Sequence, residues 1–275
     1  MNAFKKTIVA TSIAAASMFA GATAQAAPFN PFTIDPVGST ANFRADKITG
    51  NYTEIATFND DGTFNVSLYW RAGQFVTNGG NTALTPLETG LGFNYGIYAL
   101  YKASGTVSVN GNITTFNFSP SEAGDLKFVL DAPLNNSSTN VIAPVDGRGD
   151  FVIAGSDDDV LLATGEPLTG VGTLNPGLST CGADGINCGS FGSNTTFNLT
   201  AAGAGFFVAP NPFYSFSFQS GQLNNFNPTG TQTINGSLDV VFSNAAEVPE
   251  PASVGLLGLG MLGLYAARRR NKKAA

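Results

Sequence analysis

The chain contains no histidine, only two cysteines, and few charges: 12% of its 275 residues are Asp, Glu, Lys or Arg. Without His there is no Ser-His-Asp or Cys-His hydrolase and no His-based metal site. No P-loop occurs, and the GxGxxG spacing at Gly258, Gly260 and Gly263 falls inside the apolar C-terminal stretch rather than after a strand, so nucleotide-dependent chemistry has no visible foothold. Between the two ends no apolar run is long enough to span a bilayer, and no window carries a helical stripe longer than about three turns. Low charge beside 22 Phe and 33 Gly excludes wholesale disorder.

What is present alternates with a period of two. In TFNVSLYW, Phe64, Val66, Leu68 and Trp70 face one way and Asn65, Ser67 and Tyr69 the other. The same pattern runs through FYSFSFQ (213–219) and INGSLDVVFS (234–243). Further strands are expected over Asn51 to Phe58, Tyr95 to Ala103, Ile113 to Phe118, Leu126 to Leu130, Phe151 to Ala154, Val160 to Ala163, Thr195 to Leu199 and Gly205 to Val208. Turn chemistry separates them at NDDG (59–62), NGGN (78–81), NGN (110–112), PVDGRGD (144–150) and NPTGT (227–231). The polar stretch Pro133 to Pro144 is expected to be a long surface loop. The expected fold is all-β: one antiparallel β-sandwich or jelly-roll-like domain over residues 27–247, flanked by an N-terminal signal helix and a C-terminal hydrophobic helix.

The N-terminus reads as a secretory signal peptide over residues 1–26. Lys5 and Lys6 precede an apolar stretch, and the small-residue site Ala24-Gln25-Ala26 places cleavage before Ala27. The basic residues are concentrated at the ends. From Ala27 to Pro249 six Lys and Arg oppose eighteen Asp and Glu, a net charge of −12. Such a body repels phosphate backbones, so no nucleic-acid partner is expected. In an exported protein the pair Cys181 and Cys188, within CGADGINC, is expected to form a local disulfide; six intervening residues suit neither a CxxC redox motif nor, without His, a zinc site.

Acid-rich turns are the candidate cation ligands. Asp60 and Asp61 lie in NDDGTF, and Asp157, Asp158 and Asp159 in GSDDDV, downstream of Asp146 and Asp150. Carboxylates and loop carbonyls suit Ca²⁺, but neither stretch matches an EF-hand, and plain solvated turns are the alternative. No other cofactor is expected. Arg148 sits in an Arg-Gly-Asp tripeptide that reads as a chance turn, and Trp70, alternating with Phe64, Val66 and Leu68, reads as core rather than as a sugar-stacking platform. No carboxylate pair stands out for glycoside hydrolysis, so no enzyme activity is expected.

The C-terminus (248–275) departs from everything before it. Val248-Pro249-Glu250-Pro251 precedes the apolar stretch Ala252 to Ala267, and Arg268, Arg269, Arg270, Lys272 and Lys273 follow. The order of Pro-Glu-Pro, short Gly/Leu-rich helix and terminal Arg cluster resembles the PEP-CTERM sorting signal. The resemblance implies recognition by an exosortase that cuts near the motif, with transient membrane anchoring through the helix and the basic cluster on the cytoplasmic side. The prolines keep the motif extended and accessible. In the body, APFNPFTIDP, ADKITGNYTEIATFNDDGTFNVSLYWRAGQF and GLGFNYGIYALYKASGTVS resemble the flocculation-associated PEP-CTERM proteins of bacteria that build exopolysaccharide flocs. That resemblance implies a role in holding cells together within a polysaccharide matrix and supplies no catalytic residue. A lectin-like glycan-binding module, Ca²⁺-dependent or not, and a polysaccharide-modifying enzyme are the other functions kept open.

Overall fold

A computed structural model describes residues 29–38, 41–122, 124–135 and 141–244. The expected signal peptide, the sorting motif, the apolar helix and the basic cluster lie outside the described residues. The strands are β1 (Phe32–Ile34), β2 (Phe43–Ala45), β3 (Lys47–Phe58), β4 (Thr63–Thr77), β5 (Thr82–Ala83), β6 (Gly96–Asn110), β7 (Ile113–Ser119), β8 (Leu126–Asp131), β9 (Val141–Ile142), β10 (Val152–Ile153), β11 (Val160–Gly165), β12 (Pro167–Leu174), β13 (Gly189–Thr195), β14 (Asn198–Leu199), β15 (Phe207–Ala209), β16 (Ser215–Leu223) and β17 (Gly230–Ser243). Among the described residues two short helices, α1 (Pro86–Thr89) and α2 (Ala201–Phe206), interrupt them.

The all-β antiparallel class holds, and its form is refined: the main sheet closes on itself. Eight strands pair in the ring β3-β4-β6-β7-β12-β13-β16-β17, and β17 returns to β3. Each ring neighbour is also the next ring strand along the chain, so the ring is an up-and-down meander. Closure is long-range. β17 pairs with β3 from Gly230 opposite Phe58 to Val241 opposite Lys47, and an ion pair between Lys47 and Asp239 (2.9 Å) ties that seam. The excursion β8-β11-β14 branches from β6 and extends the wall.

Alternation sorts the side chains. The inward set includes Tyr52, Phe64, Leu68, Trp70, Tyr101, Phe116, Phe218 and Leu238, all buried. Apolar inside and largely polar outside is the reverse of a lipid-facing barrel. Among the described residues no helix is long and apolar enough to cross a membrane. The end of the barrel where β17 finishes is sealed by a Phe box: Phe32 meets Phe242 at 4.9 Å, Phe207 meets Phe213 at 4.9 Å and Phe197 stacks on Phe216 at 5.4 Å. Such edge-on and offset pairs add to plain area burial.

Glycine makes room for the largest ring. Trp70 donates from Nε1–H to the Leu238 carbonyl (2.9 Å), reaching over β3. A Cβ on Gly50 would stand 2.4 Å from the indole and 2.3 Å from the Arg71 carbonyl oxygen, so only glycine leaves that path open. Outside the barrel, Ile55, Tyr98, Val129, Phe151 and Ile153 form a second apolar cluster on the wall.

The expected turns form. Gly62, Asn78, Gly79, Gly80, Gly111 and Gly230 all have positive φ. Asp46, buried, accepts from the Gly79 and Gly80 amides (2.6 and 3.1 Å) and fixes the NGGN turn from the side. One strand expectation fails. Gly205 lies in α2, and β15 begins only at Phe207, because Thr200 caps a helical turn by accepting from the Gly203 amide (3.0 Å). The segment expected as one strand from Thr195 to Leu199 breaks after Thr195, and Phe197 turns into the core.

Candidate functional site

The barrel end away from the Phe box holds a cavity of about 50 Å³ in the lumen. All eight ring strands contribute to its walls, which are almost wholly apolar. Phe226, in the β16–β17 loop, lies over it. Its ring stacks on Phe116 (5.6 Å) and packs on Phe58 (5.9 Å). Side-chain hydrogen bonds from Gln232 to the carbonyls of Asn227 and Thr229 (2.7 Å to the latter) hold this loop.

The disulfide between Cys181 and Cys188 forms as expected and sits beside the same loop. The Asn225 amide donates to the Gly185 carbonyl (2.7 Å), and the Cys188 amide donates to Leu223 (2.8 Å). The cross-linked loop therefore buttresses the segment that carries Phe226.

One carboxyl enters this apolar lumen. Glu54 faces inward between Leu68 and Ile234, its cross-strand neighbours. Its carboxyl makes no hydrogen bond or ion pair among the described residues. Burial pushes it up from the ordinary carboxyl value to about 7. The Tyr101 phenol, on a side chain only 2% exposed, sits beside the Ser193 and Thr195 side chains. Burial raises the Tyr52 and Tyr101 phenols, so both stay protonated in the physiological range. Sequence reasoning placed 51–58 on a strand but passed over Glu54. The signal was there: Tyr52, Glu54, Ala56 and Phe58 share one face, so a carboxylate interrupts an apolar stripe.

The candidate cation ligands are engaged separately. Asp61 accepts from the Thr63 hydroxyl (2.6 Å) and amide (2.9 Å), which lowers its pKa, and Asp60 is exposed in the same turn. Asp158 accepts from the Asn135 side-chain amide (2.9 Å), and Asp159 accepts from the Tyr98 hydroxyl (2.6 Å). Asp157 is exposed in the short 3₁₀ turn Ser156–Asp158. Asp146 caps its own turn by accepting from the Arg148 and Gly149 amides, and Asp150 pairs with Lys102 (3.0 Å). Among the described residues no three Cys, Asp or Glu side chains gather in a way that would hold a metal ion. The Arg-Gly-Asp turn is docked on the barrel wall: the Gly147 amide donates to Thr57 Oγ1 (3.0 Å). Trp70 is fully buried, as expected of a core residue.

Comparison with known proteins adds one finding, at the other end of the chain. Residues 247–270 match the family model of the PEP-CTERM protein-sorting motif. No curated protein and no solved structure matches the chain. The motif marks an exported protein that an exosortase processes and directs to the cell surface.

Proposed function

We propose that the barrel is a surface or matrix protein that promotes cell aggregation by associating with exopolysaccharide, and that it does so without turning the polymer over. The observation that carries this reading is the polar seam of the barrel wall. Across β3 and β17, Thr53 donates to Asn235 (2.7 Å), the Thr57 and Thr231 hydroxyls pair (2.9 Å), and Ser237 donates to Asn51 (3.2 Å), all at the surface. This ladder of uncharged hydroxyls and amides offers hydrogen bonds to a hydrated polymer without the desolvation cost of charge. The resemblance to flocculation-associated proteins supports the same role. Before processing, the apolar stretch 252–267 holds the body at the membrane, with Arg268 to Arg270, Lys272 and Lys273 on the cytoplasmic side.

The test replaces Pro249, Glu250 and Pro251 with Ala. The body still folds, but intact mass shows an uncut C-terminus in the membrane fraction, and cells disperse while polysaccharide continues to be made. Normal flocculation with normally processed surface protein overturns the reading. Depolymerisation of the matrix by purified protein replaces it with an enzymatic one.

A further inference from the structure

The lumen holds a polar group that the fold does not use. Glu54 is half-buried, and a core packed for stability alone has little reason to set a carboxyl with no donor and no cation beside it among aromatic and aliphatic side chains, where it costs more than an apolar isostere. No Lys or Arg lines the cavity. Lys47 and Lys102 are engaged elsewhere, with Asp239 and Asp150. The titratable groups facing Glu54 are Tyr52 on its own strand and Tyr101 on β6; β4 and β17 present Leu68 and Ile234. The Tyr101 side chain belongs to the same cavity wall.

We infer that the lumen is a binding site for a small apolar amine, whose ammonium head pairs with Glu54 and whose hydrocarbon body lies among Phe58, Phe116, Phe218 and Leu238. The amine is favoured over an acid or a neutral alcohol because it supplies the charge that Glu54 lacks, and because a body of net charge −12 attracts cations. Phe226 is the door. At about 50 Å³ the closed cavity is too small for a six-carbon body, since benzene occupies an engineered cavity of about 150 Å³. The ligand therefore enters as the Phe226 ring swings out and takes over the volume that the ring vacates. If Glu54 holds a proton beforehand, the proton leaves to solvent as the ammonium docks, so binding strengthens as pH rises through neutrality.

The test titrates full-length protein with hexylamine and, for comparison, hexan-1-ol, following thermal shift, calorimetry and Trp70 fluorescence. Hexylamine should bind saturably at one site, at least tenfold tighter than hexanol at pH 8, and at least tenfold weaker at pH 5.5 than at pH 8. Glu54→Gln should erase the preference for the amine while leaving the acidic surface intact. Phe226→Ala should speed association. In the unmodified protein, the ¹³C resonance of the Glu54 carboxyl should move with hexylamine, a readout that needs no variant. Absence of saturable amine binding, equal affinity for amine and alcohol, or amine binding unaffected by Glu54→Gln would each overturn the inference.

Discussion

Glu54→Gln also predicts a specific change in stability without any ligand. In the unfolded chain the carboxyl titrates near 4.5, and in the barrel near 7. Below pH 4.5 both states hold the proton and the group contributes no difference. As pH rises from 4.5 to 7 the unfolded chain ionises first, so the folded state binds more protons and stability falls; above 7 the loss is constant. At about 1.4 kcal/mol per pKa unit the full penalty is about 3 kcal/mol, and partial solvent access to the side chain reduces it to about 2 kcal/mol. Gln keeps the shape and stays neutral at every pH. The variant should therefore match the parent near pH 4.5 and exceed it by about 2 kcal/mol at pH 8, some 4–8 °C in Tm for a body of this size. Urea unfolding of both proteins at half-unit steps from pH 4.5 to 8.5 measures the difference, in which the titration of all other carboxylates cancels. A difference that stays flat across this range, or that grows toward acid, would refute the assignment of a lone carboxyl in the lumen.

Two more outcomes follow from the packing. Gly50→Ala sets a methyl against the Trp70 indole and the Arg71 carbonyl, and should cost about 3 kcal/mol with a shifted Trp70 emission spectrum, whereas Gly73→Ala, whose nearest contact is an ordinary 3.5 Å, should stay within about 0.5 kcal/mol; urea midpoints decide both. Replacing Cys181 and Cys188 with Ser opens a loop of sequence separation 7, and should cost about 2 kcal/mol and raise hydrogen exchange at Asn225, whose amide rests on Gly185.

The strands legible in the sequence were those whose inward positions carry large apolar side chains, as in Phe64 to Trp70 and Phe216 to Phe242. The barrel closure was not legible, because it depends on pairing Gly230–Ser243 with Lys47–Phe58 across most of the chain, which no local pattern encodes. β12 was missed for a related reason. Its inward positions Gly170 and Gly172 are empty so that Phe118 and Phe116 can fill the space, and a strand whose apolar face belongs to its neighbours shows no alternation of its own. The acid turns were legible as turns; that Asp159 serves Tyr98 and Asp46 serves the NGGN amides required the tertiary pairing. Glu54 was readable as a break in a stripe, but its isolation was not, since that depends on what three other strands fail to present.

The two ends of the barrel differ in what lies beyond them. β17 starts at the end that Phe226 covers and finishes at Ser243, and only Asn244, Ala245 and Ala246 separate it from the sorting segment that opens at Glu247. Four extended links reach at most about 14 Å, so the processing enzyme works close against the Phe-box rim. The fourteen residues of β17, at about 3.3 Å each, then set the aromatic door some 40 Å from that rim, less the tilt of the strand. Were the body held through its C-terminal segment, the lumen mouth would be the part of the barrel farthest along β17 from the point of attachment.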